Sequence, residues 1–540
     1  MSKELNRSFE KLKNAGAAPV YFINYALYDI KSQSLTATYG AMSNEDETHL
    51  RMLNVDVRVG DKHLDSTHQI RAGVVPPQPL ALGIGHGRSG NFPLQDDPDA
   101  VRTSLWESTD SEFRAAQQAY SRIKTNKDLK VAEEDPSDDF ADTKAVVYSE
   151  PPLNINVDLP AWRDRLRKAS AIYKEFPALG HSVVRLDVDQ TRRFLVNTGG
   201  TRIEDNAKSF RVGAEASAVA ADGMVVRLYD SMEVPTLDML PDQAALEKMV
   251  RKLCNAVVEL KDAPKAAPFV GPAILNCKAT GVFFHEVLGH RLEGHRQKNE
   301  REGRTFTAKV GEHIMPDFMS VIDDPTRTTI GNTPLVGSYK FDDEGVPAQK
   351  VELVQNGVLK GFLMGRSPIS GFSASNGHGR SSAGSNPVAR QGNLIVESSK
   401  RVPYAKLRAM LIQEAKAQHK PYGLIIDELG GGFTLTHTSS PQSYVLLPLR
   451  VIKVYVDHKP DELTRGVNIV GTPLASLEKI LCAAADEGTF NGRCGAESGW
   501  VPVSATGPSL LLKTIELEKE YKSQEKPPVL PAPITDKKGK

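Results

Sequence analysis

His285 and His290 stand five residues apart, with Glu286 beside the first, directly behind the apolar run Gly281-Val282-Phe283-Phe284. Any fold this chain adopts must settle what that spacing does. Neutral imidazole is a good zinc ligand, and an adjacent glutamate can take a proton from a metal-bound water. Five steps along a regular α-helix turn about 500°, which leaves the two side chains diverging by about 140°. One ion cannot be held by both unless the helix is distorted there. A π-bulge, with its i→i+5 hydrogen bond, returns them towards one face, and Gly289 before His290 eases that distortion. With 13 histidines in 540 residues, the pattern H-E-x-x-x-H arises by composition only roughly 0.02 times per chain. Two ordinary polar histidines on an amphipathic helix are the poorer account.

A catalytic zinc keeps three protein ligands and leaves the fourth position to water. The residues themselves offer two candidates for the third. Glu293 follows His290 by three positions, on a neighbouring helix face. Cys494 is remote but sits in the glycine-rich turn Asn491-Gly492-Arg493-Cys494-Gly495, where backbone can bring a thiolate close to a metal. Both stay open on chemistry alone. Cys254 and Cys482 have apolar neighbours and read as buried small hydrophobes in helices, and Cys277 falls in a strand-to-helix turn.

The surroundings of the motif carry a resemblance. Gly271-Pro272-Ala273-Ile274-Leu275 and Gly281 through Gly294 form one block. Phe341-Asp342-Asp343-Glu344-Gly345-Val346-Pro347, with Asn356-Gly357-Val358-Leu359-Lys360-Gly361, forms a second. Cys494-Gly495-Ala496-Glu497-Ser498-Gly499-Trp500-Val501-Pro502-Val503 forms a third. In this order the blocks resemble the TldD/PmbA metallopeptidase family, and its TldD-like catalytic branch, because PmbA-like partners lack the metal motif. The resemblance is good from about residue 180 and loose before it, and residues 75–160 look like an insertion. It implies His285, His290 and Cys494 as zinc ligands and Glu286 as general base. It also implies peptides or unfolded segments as substrates in an enclosed cavity, and a dimer, either of the chain itself or with a PmbA-like paralogue.

Composition narrows the alternatives. The chain has 67 basic and 67 acidic residues, which argues against a nucleic-acid or anionic-membrane surface. No apolar run is long enough for a transmembrane helix, and the charged N-terminus leads into a strand-like alternation rather than a signal-peptide core. The expected location is cytoplasmic. Four scattered cysteines make no disulfide framework.

Periodicity predicts an α+β chain: an N-terminal α/β domain over 1–262, a β-rich metal-binding domain over 263–522 and a disordered tail over 523–540. Helices are expected at 1–15, 98–126, 159–176, 241–261, 404–419 and near 473–485. Strands are expected near 19–30, 34–42 and 49–59, then across 181–230, where Asn197-Thr198-Gly199-Gly200-Thr201 supplies a turn. Further strands fall at 270–276, 347–365, 392–397, 423–427, 443–456, 466–471 and 508–518. The Pro/Gly-rich passage from Val75 to Gly90 is a loop whose glycines do not fit a nucleotide cradle. Glu133 to Asp139 reads as a solvated acidic loop.

A flexible loop, Ser375 to Ser382, could line a substrate groove through Asn376, His378 and Arg380. Gly430-Gly431-Gly432 permits close approach of an extended peptide or makes a bulge. No G-x-S-x-G context supports a serine hydrolase. The expectation is a zinc-dependent metallopeptidase in which Glu286 activates the zinc-bound water. Its rivals are a zinc-dependent hydrolase of non-peptide amides and a non-catalytic regulatory or binding subunit.

Overall fold

Alternation between Val20 and Val59 produces two long strands, β1 (Val20–Thr38) and β2 (Ala41–Val59), paired antiparallel. Tyr39 and Gly40 both take positive φ, 46° and 84°, the turn geometry that suits the twist of a tight hairpin. The separate strand expected at 34–42 therefore does not form; that stretch holds the end of β1, the turn and the start of β2. The computed structural model describes residues 1–69, 92–127 and 135–520. The loop from Val75 to Gly90, residues Glu133 and Glu134, and the tail from Ser523 lie outside them.

The N-terminal sheet is completed by β3 (Val147–Ser149), β4 (Leu179–Asn197), β5 (Arg202–Val219) and β6 (Val225–Val234). Its order is β2-β1-β4-β5-β3, with β6 also on β5. Side chains alternate between the faces of a strand, and here the two faces meet different partners. Ile23, Tyr25, Leu35 and Ala37 of β1 face helices α1 (Ser2–Leu12), α2 (Pro98–Lys127), α3 (Leu159–Ala171) and α4 (Gln243–Asp262). Ala26 and Tyr28, one step out of phase, face Phe341 and Ala383 of the C-terminal half. Asp139, from the expected solvated loop, is buried, because Lys298 Nζ at 3.1 Å and His68 Nδ1 at 2.8 Å hold its carboxylate.

In the C-terminal half, β7 (Phe269–Leu275) pairs with the strands Tyr422–Thr434 and Leu510–Lys519. Through Tyr444–Tyr455 and Val467–Gly471 these strands close on one another as a barrel. A second sheet contains β8 (Met319–Asp323), Asn393–Ser398, Gly499–Gly507 and Gly488–Ala496. Helix α5 (Cys277–Val287) lies between barrel and sheet, with Ala279 through Val287 buried. Phe283 and Phe284 are wholly enclosed, and each contributes about 2–3 kcal/mol of apolar burial. Gly281 permits this packing: a Cβ there would lie 2.4 Å from the carbonyl oxygen of Ala505.

The helix expected near 473–485 is shorter, Pro473–Leu477, and gives way to a strand, Ile480–Ala484. Pairing with Leu510–Leu512 overrides the helical pattern, so Cys482 sits in a sheet. Among the described residues no helix is long and apolar enough to cross a membrane.

Candidate metal centre

α5 ends at Val287, and Gly289–Leu292 forms a 3₁₀ turn after Leu288 (φ −116°, ψ −53°). The helix therefore stops between the two histidines; it is not a continuous helix carrying a π-bulge. This break redirects the chain and puts the imidazoles edge to face, ring centroids 4.8 Å apart and planes at 80°. Gly289 serves a different need from the one its position suggests. A Cβ there would collide with the Gln391 side chain, whose Nε2 donates to the His285 carbonyl oxygen at 3.3 Å.

The strand Gly488–Ala496 brings Cys494 to the pair. Its Sγ lies 3.2 Å from His285 Nε2 and 3.2 Å from His290 Nε2. The three donor atoms fall within 4.8 Å of one another, on buried residues. Two imidazole nitrogens and a thiolate make a borderline-soft set suited to zinc, and tetrahedral Zn–N and Zn–S bonds would put such donors about 3.5 Å apart. The two sulfur–nitrogen separations fit that ion to within a few tenths of an ångström.

Burial works against a Cys494 thiolate, but the charges of His290 and His285 outweigh it and hold the thiol well below its ordinary range. Glu286 differs. Burial raises its pKa, with only partial relief from His290 and His285, so this carboxylate is a better proton acceptor than an exposed one. It lies over the backbone of Gly432, where a Cβ would come 2.9 Å from Glu286 Cγ.

Glu293 is not on the metal-facing side of His290. Its Oε1 takes a hydrogen bond from Nδ1 at 3.0 Å, the contact that fixes a ligand histidine's tautomer and ring angle. Burial pushes the Glu293 carboxyl up, but His290 and Arg296 prevail and hold it at about 2. Arg296 Nε donates to its Oε2 at 2.8 Å.

Sequence reasoning missed Arg390, a wholly buried side chain. One guanidinium nitrogen donates to Cys494 O at 2.7 Å and reaches Sγ at 3.1 Å. The other donates to Ser498 Oγ at 2.9 Å and Gly499 O at 3.1 Å. No motif spacing marks this residue, because its partners lie more than 100 positions away.

The structure buries His378 and Arg380 and half-buries Asn376. Asn376 accepts from Met364 N at 2.8 Å and donates to Phe362 O at 2.9 Å. His378 faces Asp323 at 3.3 Å, and Arg380 stacks on Tyr339 and donates to Gln391 O. Their polar atoms bond to the chain's own groups, and His378 is not among the grouped His285, His290 and Cys494 donors. Cys277 packs its Sγ 3.3 Å from Ser509 Oγ, and Cys254 is buried in α4.

Residues 270–519 match the family model described as PmbA/TldA metallopeptidase C-terminal domain. The chain belongs to the TldD/PmbA family. A Haemophilus influenzae protein named Metalloprotease TldD homolog is 28% identical over 249 residues, 45% of this chain and 47% of that one. A Methanothermobacter thermautotrophicus protein named Metalloprotease is 26% identical over 484 residues, 87% of this chain and 98% of that one. A Saccharolobus solfataricus protein named Zinc metalloprotease TldD homolog is 25% identical, over 52% of this chain and 58% of its own length. The chain thus spans about half the length of the Haemophilus and Saccharolobus relatives and nearly all of the Methanothermobacter one. The solved structure of TldE from Thermococcus kodakarensis shares the TldD/PmbA fold, with a TM-score of 0.59 at 16% identity, covering 96% of this chain and 99% of that one.

Proposed function

We propose that this TldD/PmbA-family chain is a zinc-dependent metallopeptidase acting on peptides or unfolded protein segments. The observation that carries the reading is the convergence of His285, His290 and Cys494, from a helix, a 3₁₀ turn and a strand some 200 positions further on, on one buried point. Those three residues would hold the ion, and bound zinc would polarise a carbonyl and lower the pKa of water.

The chain's own residues supply the rest. Glu286 holds the proton taken from the attacking water and returns it to the leaving amine, a role for which its burial-raised pKa is suited. Glu293 and Gln391 orient the two histidines, one at the His290 ring and the other at the His285 carbonyl. Arg390 holds the cysteine strand. Among the described residues, Leu429–Thr434 pairs only with the strand Tyr444–Tyr455, which leaves one edge for an extended substrate to join as a further strand. A dimer, of the chain itself or with a PmbA-like paralogue, is part of the proposal and rests on the family resemblance.

Glu286→Gln is the test. It should retain zinc and lose at least ~100-fold in turnover of a mixed peptide library, because it removes the proton acceptor and leaves the ligands. Cleavage at the parental rate would remove Glu286 from the reaction.

A further inference from the structure

α4 and the barrel flank an open surface groove of about 430 Å³, apart from the cluster of metal donors. Its lining is cationic. Lys248, Arg251, Lys252, Asn255 and Glu259 follow one another along one stripe of α4, and Arg450 from the strand Tyr444–Tyr455 contributes from the barrel. Basic composition does not explain this, since the chain as a whole carries no net charge.

The arginines are already engaged. Arg251 is paired with Glu175 at 2.6 and 2.9 Å. Arg450 lies 3.3 Å from Asp427 and 3.5 Å from Glu259. The lysines are not. Lys252 sits within the electrostatic reach of Glu428, but neither lysine has a hydrogen-bonded or ion-paired carboxylate among the described residues. Asn255 adds a neutral donor, and Glu259 is the one acidic side chain in the lining.

We propose that this groove binds a small polyanion of the oligophosphate class. Cations at i, i+3 and i+4 lie about 5–6 Å apart on a helix, a spacing that a short phosphate chain can satisfy from a single compact ligand. A peptide would spread its carboxylates over a longer path than these cations span. The ligand could be a free oligophosphate or the tail of a nucleoside triphosphate. The inference does not depend on the peptidase reading.

Calorimetric titration of the full chain with inorganic tripolyphosphate, at about 0.15 M ionic strength, tests it. One saturable site is expected. Lys248→Gln with Lys252→Gln should weaken binding at least ~10-fold, since each removes a charge-assisted contact, whereas the paired Lys→Arg substitutions should retain it. Glu259→Gln should tighten binding about threefold by removing a repulsive charge. ATP binding more tightly than tripolyphosphate identifies the nucleotide source, and equal affinity identifies the free oligophosphate. Absence of a saturable site overturns the proposal. So does unchanged affinity in the folded double Gln variant, which would place the anion elsewhere, including on bound zinc.

Discussion

Arg390→Met gives the sharpest energetic prediction. Methionine fills much of the same volume but offers no donor. The substitution strips hydrogen bonds from Cys494 O, Ser498 Oγ and Gly499 O and removes a cation 3.5 Å from Glu293. Each orphaned buried acceptor costs about 1–3 kcal/mol. Glu293 keeps Arg296 at 2.8 Å, so its charge is not left alone, and the total falls near the ~3–5 kcal/mol of a broken buried ionic network. For a unit of this size that corresponds to a melting temperature lower by roughly 6–20 °C. Because Cys494 loses its anchor, zinc affinity should also fall about 10–100-fold, the usual effect of removing a ligand's support. Scanning fluorimetry of metal-free and zinc-loaded protein, with chelator competition, reads both numbers. Parental melting temperature and parental affinity in Arg390→Met would refute the reasoning.

Cys494→Ala should lose most of its zinc, whereas Cys254→Ala and Cys482→Ala should keep it, because the latter two contribute packing only; metal analysis of the purified variants decides. Gly432→Ala puts a methyl 2.9 Å from Glu286 Cγ and 2.7 Å from Leu446 Cδ2; turnover should fall roughly 10–100-fold at unchanged zinc content, and a fully active variant contradicts the placement of Glu286. Burial, with a smaller push from Asp56, raises Glu112 from 4.5 to about 7. A raised folded-state pKa gives stability that is full below about pH 4.5 and is lost as pH rises through about 7. Glu112→Gln should therefore melt higher than the parent at pH 8, by about 1–2 kcal/mol after allowance for its partial exposure, and no higher at pH 4; an equal shift at both pH values counts against the assignment.

Much of the fold was legible because local patterns and long-range pairing agreed. The alternation in 181–230 became β4 to β6, and the pattern at 98–126 became α2. Reading failed where tertiary contacts decide. The stretch 34–42 reads as a strand of its own, but it is the end of β1, a two-residue turn and the start of β2. The stretch around Cys482 looks helical, yet it pairs with Leu510–Leu512. At the site, His285, Glu286 and His290 announce themselves by spacing, but how the spacing works does not. A helix that stops at Val287 and a continuous helix with a bulge write the same letters. The residues around Asn376 look like a donor-rich loop in sequence, and their burial follows from Asp323, Met364 and Gln391, none of which is a neighbour. Arg390 had no signal at all, since a lone arginine before a strand reads as surface.

X-ray absorption at the zinc edge tests the central claim most directly. Zinc-loaded protein should show one sulfur scatterer at about 2.3 Å and nitrogen or oxygen scatterers at about 2.0–2.1 Å, with the sulfur shell absent in Cys494→Ala. A zinc shell without sulfur in the parent, or no stoichiometric zinc after loading, would contradict a centre built from His285, His290 and Cys494.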